Sequence, residues 1–241
     1  MLVKEIKQRP SSIVSFPPPT VEATAIEPPR VTDLPFDGLR TEGARLIGPN
    51  ALIQTAAALD ELEPGSVEAI LLDAGELAVR EHSQDDMVDE RRFAVLVTTL
   101  VRHLGEERAE RVLMRSGSLA ADYLMVHRIP PTFQWLLRRL PRDLGLRLLL
   151  GAVASHTWTF AGSGRFRYEL PGDGLVELAV DDCPACRGLV TQHPVCGYYT
   201  GIFERLFRML VDDRMRVREA GCHACDGGNC VLLGKPEAER G

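Results

Sequence analysis

The first 182 residues of this 241-residue chain contain no cysteine; all six lie between Cys183 and Cys230. Six thiols in this length are too sparse for a disulfide-stapled secreted scaffold. The opening "MLVKEIKQRPSSIV" lacks the apolar run of a signal peptide. Together these absences predict a reducing cytoplasm, where thiols stay available for metal or redox chemistry. No stretch approaches the roughly eighteen uninterrupted apolar residues of a membrane span. The nearest, "LGLRLLLGAVASHTWTF", carries Arg147 and His156. Lysine is also scarce, limited to Lys4, Lys7 and Lys235, and the net charge of −6 excludes a general nucleic-acid binder. There is no internal repeat, no G-x-G-x-x-G after a strand and no P-loop, which excludes the usual nucleotide-binding cores.

What is present divides along the chain. Residues 1–40 hold seven of the sixteen prolines, including "FPPPT" and "EPPR", and read as a flexible or polyproline-like tail. The remainder, 41–236, reads as one domain, with 45% hydrophobic residues to fill a core. Helical periodicity begins in "RLIGPNALIQTAAALDEL", with Asn50 as the expected cap and Leu52, Ala56, Leu59 and Leu62 on one face. It continues through "SVEAILLDAGELAVREH", "DERRFAVLVTTLVRHLG" and "EERAERVLMRSGSLAADYLMVHRI". A last helical stretch follows Pro130-Pro131, and Pro141 should kink or split it. The period then shifts to alternation in "GRFRYEL" and "GLVELAV" around the turn "PGDG", which predicts a hairpin. An amphipathic helix, "CGYYTGIFERLFRMLV", precedes a second strand pair, "RMRVREA" and "NCVLLG". Helices first and strands afterwards give an α+β fold, a helical bundle packed with a small antiparallel sheet.

Two ligand sets compete for a metal. Cys183-x-x-Cys186 and Cys222-x-x-Cys225, with 35 residues between them, have the spacing of a four-cysteine zinc site. Cys196, Glu219, Cys222 and Cys230 offer three thiolates and a carboxylate, each at the edge of a predicted element, and zinc accepts carboxylate oxygen as a fourth ligand. Soft thiolates alone do not separate zinc from an iron–sulfur cluster. A redox Cys-x-x-Cys would be expected beside a βαβ unit, which is missing. His193 and His223 flank the ligands.

Three stretches, "RLIGPNALIQTAAAL", "HPVCGYYTGIFERLF" and "VREAGCHACDGGNCVLLGKP", resemble the vinyl-4-reductase domain family, in its branch from phototrophic bacteria that make bacteriochlorophyll. The likeness covers about residues 40–235. It implies a fold similar to Golgi transport tethering subunits and to the aromatic-sensing domains of transcription activators, commonly homodimeric. In the sensing relatives zinc is held by Cys-x22-Glu-x2-Cys-x7-Cys. That pattern falls on Cys196, Glu219, Cys222 and Cys230 without a gap, and it leaves Cys183, Cys186 and Cys225 as additional thiols. A closed three-thiolate shell has no open position for water, so the zinc is expected to be structural.

The family name implies 8-vinyl reduction of a divinyl chlorophyllide precursor. Hydride must come from a nicotinamide, flavin or iron–sulfur partner, because side chains do not supply it, and no redox-cofactor motif stands in this chain. Whether the chain is an enzyme therefore stays open. The residues fit a carrier or accessory factor better. A helical half rich in Leu, Val and Ala can enclose a flat Mg-tetrapyrrole such as divinyl protochlorophyllide or a Mg-porphyrin. Candidate contacts are Tyr123, His127, Trp135, His156, Trp158 and Phe160, with imidazoles able to reach magnesium and Arg138, Arg139 and Arg142 available to a propionate. The expected partners are the pigment, its pathway enzymes and a second copy of the chain, with peripheral attachment to the photosynthetic membrane. The reductase itself is the alternative.

Overall fold

The computed structural model describes residues 45–237. The Pro-rich segment 1–40 lies outside the described residues. The order is β1 (Leu46–Ile47), α1 (Asn50–Leu62), α2 (Val67–Asp73), β2 (Val88–Asp89), α3 (Glu90–Leu104), α4 (Glu106–His127), α5 (Pro131–Leu137), α6 (Arg142–Ala154), β3 (Arg165–Gly172), β4 (Leu175–Asp181), α7 (Gly197–Leu210), β5 (Met215–Gly221), α8 (His223–Asp226) and β6 (Cys230–Pro236). This is an α+β fold, with helices preceding a four-stranded antiparallel sheet of order β3-β4-β6-β5.

Local chemistry accounts for most boundaries. Asp89 accepts a bond from the Arg91 backbone N–H at 2.9 Å and caps α3. Phe93, Leu96, Val97, Leu100 and Leu104 then recur at helical spacing and are buried. Gly105, at φ 78°, ends α3 and starts α4. Pro131 opens α5 at a position where its missing N–H costs nothing, and Pro141 separates α5 from α6. Asn50 is not the cap of α1. Pro49 stands there with φ already helical, and the Asn50 side chain accepts from Gln54 Nε2 at 3.1 Å. Leu52, Ala56 and Leu59 are buried, whereas Leu62 is 45% exposed. The two-residue ladder β1–β2 is too short to leave an alternating pattern.

In the sheet, the "PGDG" turn puts Gly172, Asp173 and Gly174 all at positive φ, which reverses β3 into β4. Val176, Leu178 and Val180 of β4 and Cys230 and Leu232 of β6 face the interior. Helix α7 lies between this sheet and α4, and every residue from Gly197 to Phe203 is buried. Its contact with α4 is unusually close. A Cβ at Gly201 would stand 2.1 Å from the Met114 carbonyl oxygen, and one at Gly117 2.0 Å from the Tyr198 carbonyl oxygen. Only glycine lets the two backbones approach this far. A buried Thr55–Ser116 hydroxyl pair, 2.7 Å apart, ties α1 to the other side of α4.

Candidate metal centre

Five segments converge on one buried point. The Val180↔Cys230 pairing places the end of β4 beside the start of β6. Asp182, at φ 52°, then turns the chain inward, and Cys183 and Cys186 follow in the loop. Cys196 immediately precedes α7, Glu219 lies on β5, and Cys222 follows that strand. Cys183, Cys186, Cys196, Cys222 and Cys230 are all at most 1% exposed.

The loop carrying Cys183 and Cys186 is anchored from outside the cluster. Glu90, with only 1% of its side chain exposed, accepts from the Ser163 backbone N–H, the Ser163 hydroxyl and the Arg187 guanidinium. Arg187 also donates to the Asp182 carbonyl oxygen at 2.9 Å, which closes the loop on itself. Burial alone would raise the Glu90 pKa, but these donors outweigh it and the net shift is downward. The stabilisation is therefore complete above the unfolded carboxyl range near 4.5 and is lost as pH falls through the lowered folded value. Glu90→Ala is expected to cost about 3 kcal/mol by stranding Arg187 and a buried N–H. Urea unfolding at pH 7 checks this; a change below about 0.5 kcal/mol would show that the anchor contributes nothing.

Within the cluster, sulfur–sulfur separations are 3.6 Å for Cys183–Cys196, 3.2 Å for Cys186–Cys230, 3.5 Å for Cys186–Cys196 and 3.3 Å for Cys196–Cys230. Two four-donor groups have their ligand atoms within 4.8 Å of one another: Cys183, Cys186, Cys196 and Cys230, and Cys196, Glu219, Cys222 and Cys230. The structure thus brings together the Cys–Glu–Cys–Cys set of the sequence pattern. It does not gather the double Cys-x-x-Cys set, because Cys225 is exposed and its sulfur lies 3.6 Å from the Thr191 hydroxyl. Cys183 and Cys186, superfluous to the sequence pattern, lie inside the cluster. The signal that could have marked them is their own spacing, two residues apart just after a strand.

The electrostatics favour a cation. Burial raises the Glu219 carboxyl to about 10, with the neighbouring Cys222 and Glu110 charges adding to the effect. Glu110 is itself pushed to about 7 by burial, although it accepts from the Gly197 backbone N–H at 2.9 Å. Hydrogen bonds from neighbouring thiols, Cys186 first, lower Cys222 to about 6, while those around Cys196, Cys183 first, raise that thiol. Glu219 Oε2 accepts from the Cys196 backbone N–H at 2.9 Å, yet Oε1 is buried without a hydrogen-bond partner. A buried orphan oxygen beside competing thiols is costly unless a cation satisfies them. Three thiolates and one carboxylate fit zinc. His223 supports the shell through its backbone N–H, 3.4 Å from Cys230 Sγ, while its ring faces the Gly228 carbonyl oxygen; His193 is exposed.

The six pocket candidates do not form one described cavity. Tyr123 and His127 lie one turn apart on α4, ring centroids 4.6 Å apart. Trp135 is 57% exposed, with the Arg139 guanidinium 4.0 Å over its ring. His156 is exposed, its Nδ1 2.9 Å from the Ala152 carbonyl oxygen, and Trp158 belongs to the short turn Thr157–Thr159. Phe160 packs among Phe166, Tyr199 and Phe203. Arg138 donates to the Met209 carbonyl oxygen and Arg142 to Asp212. Two surface depressions, of about 330 and 210 Å³, contain none of the six. Instead, Trp135 and Leu136 on α5 and Leu144 and Leu148 on α6 are exposed. The i, i+4 spacing of Leu144 and Leu148 is the sequence signal for that face.

Comparison with known proteins agrees with this architecture. The vinyl-4-reductase domain family matches residues 176–236. The chain is similar to the "Bacteriochlorophyll synthase 23 kDa chain" of Cereibacter sphaeroides, at 37% identity over 78% of this chain and 89% of that protein. It is similarly related to the protein of the same name from Rhodobacter capsulatus, at 35% identity over 80% and 89%. Among solved structures, an H-NOX protein mutant from K. algicida superposes with a TM-score of 0.55 at 7% identity, over 80% of this chain and 98% of that one. Another, from work on haem distortion in the H-NOX family, gives 0.51 at 13% identity, over 81% and 99%. These two likenesses establish a shared fold.

Proposed function

Because the chain belongs to the vinyl-4-reductase-domain family of bacteriochlorophyll synthase 23 kDa chains, and so to bacteriochlorophyll biosynthesis, we propose that it binds a tetrapyrrole intermediate of that pathway. The ligand is divinyl protochlorophyllide or a Mg-porphyrin, and the chain presents it to the pathway enzymes as a carrier or accessory factor for 8-vinyl reduction. The observation that carries this reading is the exposed apolar face of α5 and α6. Trp135, Leu136, Leu144 and Leu148 offer a flat hydrophobic surface to a macrocycle. Arg138, Arg139 and Arg147 stand on or beside the same two helices and suit a propionate. The likeness to an H-NOX structure from a study of haem distortion adds a fold-level analogy.

In this reading zinc is structural, bound by Cys196, Glu219, Cys222 and Cys230, and holds the start of α7 to β5 and β6. The chain works as a homodimer, in the cytoplasm or peripheral to the photosynthetic membrane. Among the described residues no helix is long and apolar enough to cross a membrane.

The test is to titrate purified protein with divinyl protochlorophyllide, with and without NADPH or reduced ferredoxin. Saturable binding without turnover is expected, and Trp135→Ala with Leu148→Glu should weaken it by at least about tenfold, equivalent to about 1.4 kcal/mol. Conversion to the monovinyl product without added enzyme would replace the carrier with a reductase. No saturable binding would end both readings.

A further inference from the structure

Cys183 and Cys186 are unnecessary to a shell of Cys196, Glu219, Cys222 and Cys230, yet both are fully buried against it. We propose that the chain holds two metal ions: a second divalent, thiophilic ion between Cys183, Cys186, Cys196 and Cys230, sharing the thiolates of Cys196 and Cys230 with the first.

The arrangement of donors carries this. Cys196 and Cys230 are common to both four-donor groups and lie 3.3 Å apart. Cys183 and Cys186 complete one group and Glu219 and Cys222 the other. A central pair of sulfurs flanked by two outer pairs of donors is the layout of a binuclear centre with bridging thiolates. A tetrahedron with metal–sulfur bonds of about 2.3 Å has edges of about 3.8 Å. The separations of 3.2, 3.3, 3.5 and 3.6 Å are close to that edge and far from the roughly 2.05 Å of a disulfide. Charge points the same way. Five thiolates and one carboxylate bring six negative charges into a buried volume; one divalent ion offsets two of them and two ions offset four. Thiolates bridge metals readily because sulfur is soft and polarisable.

The second ion rests on the first shell only through the two shared ligands, and it is independent of pigment binding. The full chain is reconstituted anaerobically with Zn²⁺ and its bound metal counted by native mass spectrometry. A parallel sample loaded with ¹¹³Cd²⁺ is observed by NMR. Two ions per chain and two cadmium resonances are expected. Cys183→Ser with Cys186→Ser should leave one ion, as should Glu219→Gln with Cys222→Ser, whereas Cys225→Ser should leave two. One ion per chain at saturation, or a count of two that survives loss of both Cys183 and Cys186, overturns the proposal. Should a double variant fail to fold, the wild-type count and number of resonances decide. A single ion released by the Glu219 and Cys222 changes but not by the Cys183 and Cys186 changes would leave the first shell standing alone.

Discussion

Stripping metal from the folded protein with a strong chelator at pH 7 is expected to unfold the C-terminal half. The cluster joins the loop after β4, the start of α7, the end of β5 and the start of β6, and among the described residues no disulfide replaces it. A structural zinc contributes on the order of 10 kcal/mol of apparent folding free energy. That is comparable with the whole net stability of a typical domain, about 5–15 kcal/mol. Without the ion, buried Glu219 and its thiol neighbours must be protonated or repel one another, so the metal-free state loses the attraction and retains the desolvation penalty. Thermal melts by circular dichroism, with metal content checked on the same samples, should show a loss of tens of degrees or no cooperative transition. An unchanged melt in protein verified free of metal would mean that packing alone holds these segments. Cys ligands must give up protons to bind, so affinity should fall as pH is lowered.

Gly201→Leu is expected to be nearly as damaging, through a different cause. The Cβ alone would lie 2.1 Å from the Met114 carbonyl oxygen and 3.1 Å from the Ser118 backbone nitrogen, and both neighbours are helix backbone that no rotamer change can move. Helices α4 and α7 would have to separate, opening the buried seam that includes Gly117, Tyr198 and Ile202. Overpacking where side chains can adjust costs about 1–3 kcal/mol; here the cost should exceed about 3 kcal/mol. Denaturant unfolding measures it, and Gly201→Ala should already show much of the loss. A fully stable Gly201→Leu protein would mean that the two helices are not held at this distance.

Much of this fold is legible in the sequence because its signals are local. The alternation in "GRFRYEL" and "GLVELAV", the prolines before α5 and α6, and the apolar spacing of α3 and α7 each specify an element without reference to the rest. Asn50 misleads because the preceding proline takes over the helix start. The metal ligands are legible in part: Cys196, Glu219, Cys222 and Cys230 follow a fixed spacing. The entry of Cys183 and Cys186 into the cluster depends on the Val180↔Cys230 pairing, the left-handed Asp182 and the reach of Arg187 to Glu90, 97 residues away. None of these is visible in a local window. The exposed face on α5 and α6 is equally hard to see, because a helix pattern shows which residues are apolar but not which remain uncovered.

The glycine seam between α4 and α7 also limits how this chain can be divided. The stretch matched by the vinyl-4-reductase domain begins at residue 176, inside β4. Helix α7, the centre of that stretch, is buried on its other side by a helix about eighty residues earlier. The strand that pairs with β4, β3, also lies upstream of the boundary. The matched segment is therefore a unit of inheritance rather than a unit of folding. Its sequence can be traced separately across proteins, but its native shape forms only around a partner helix such as α4, supplied by the same chain.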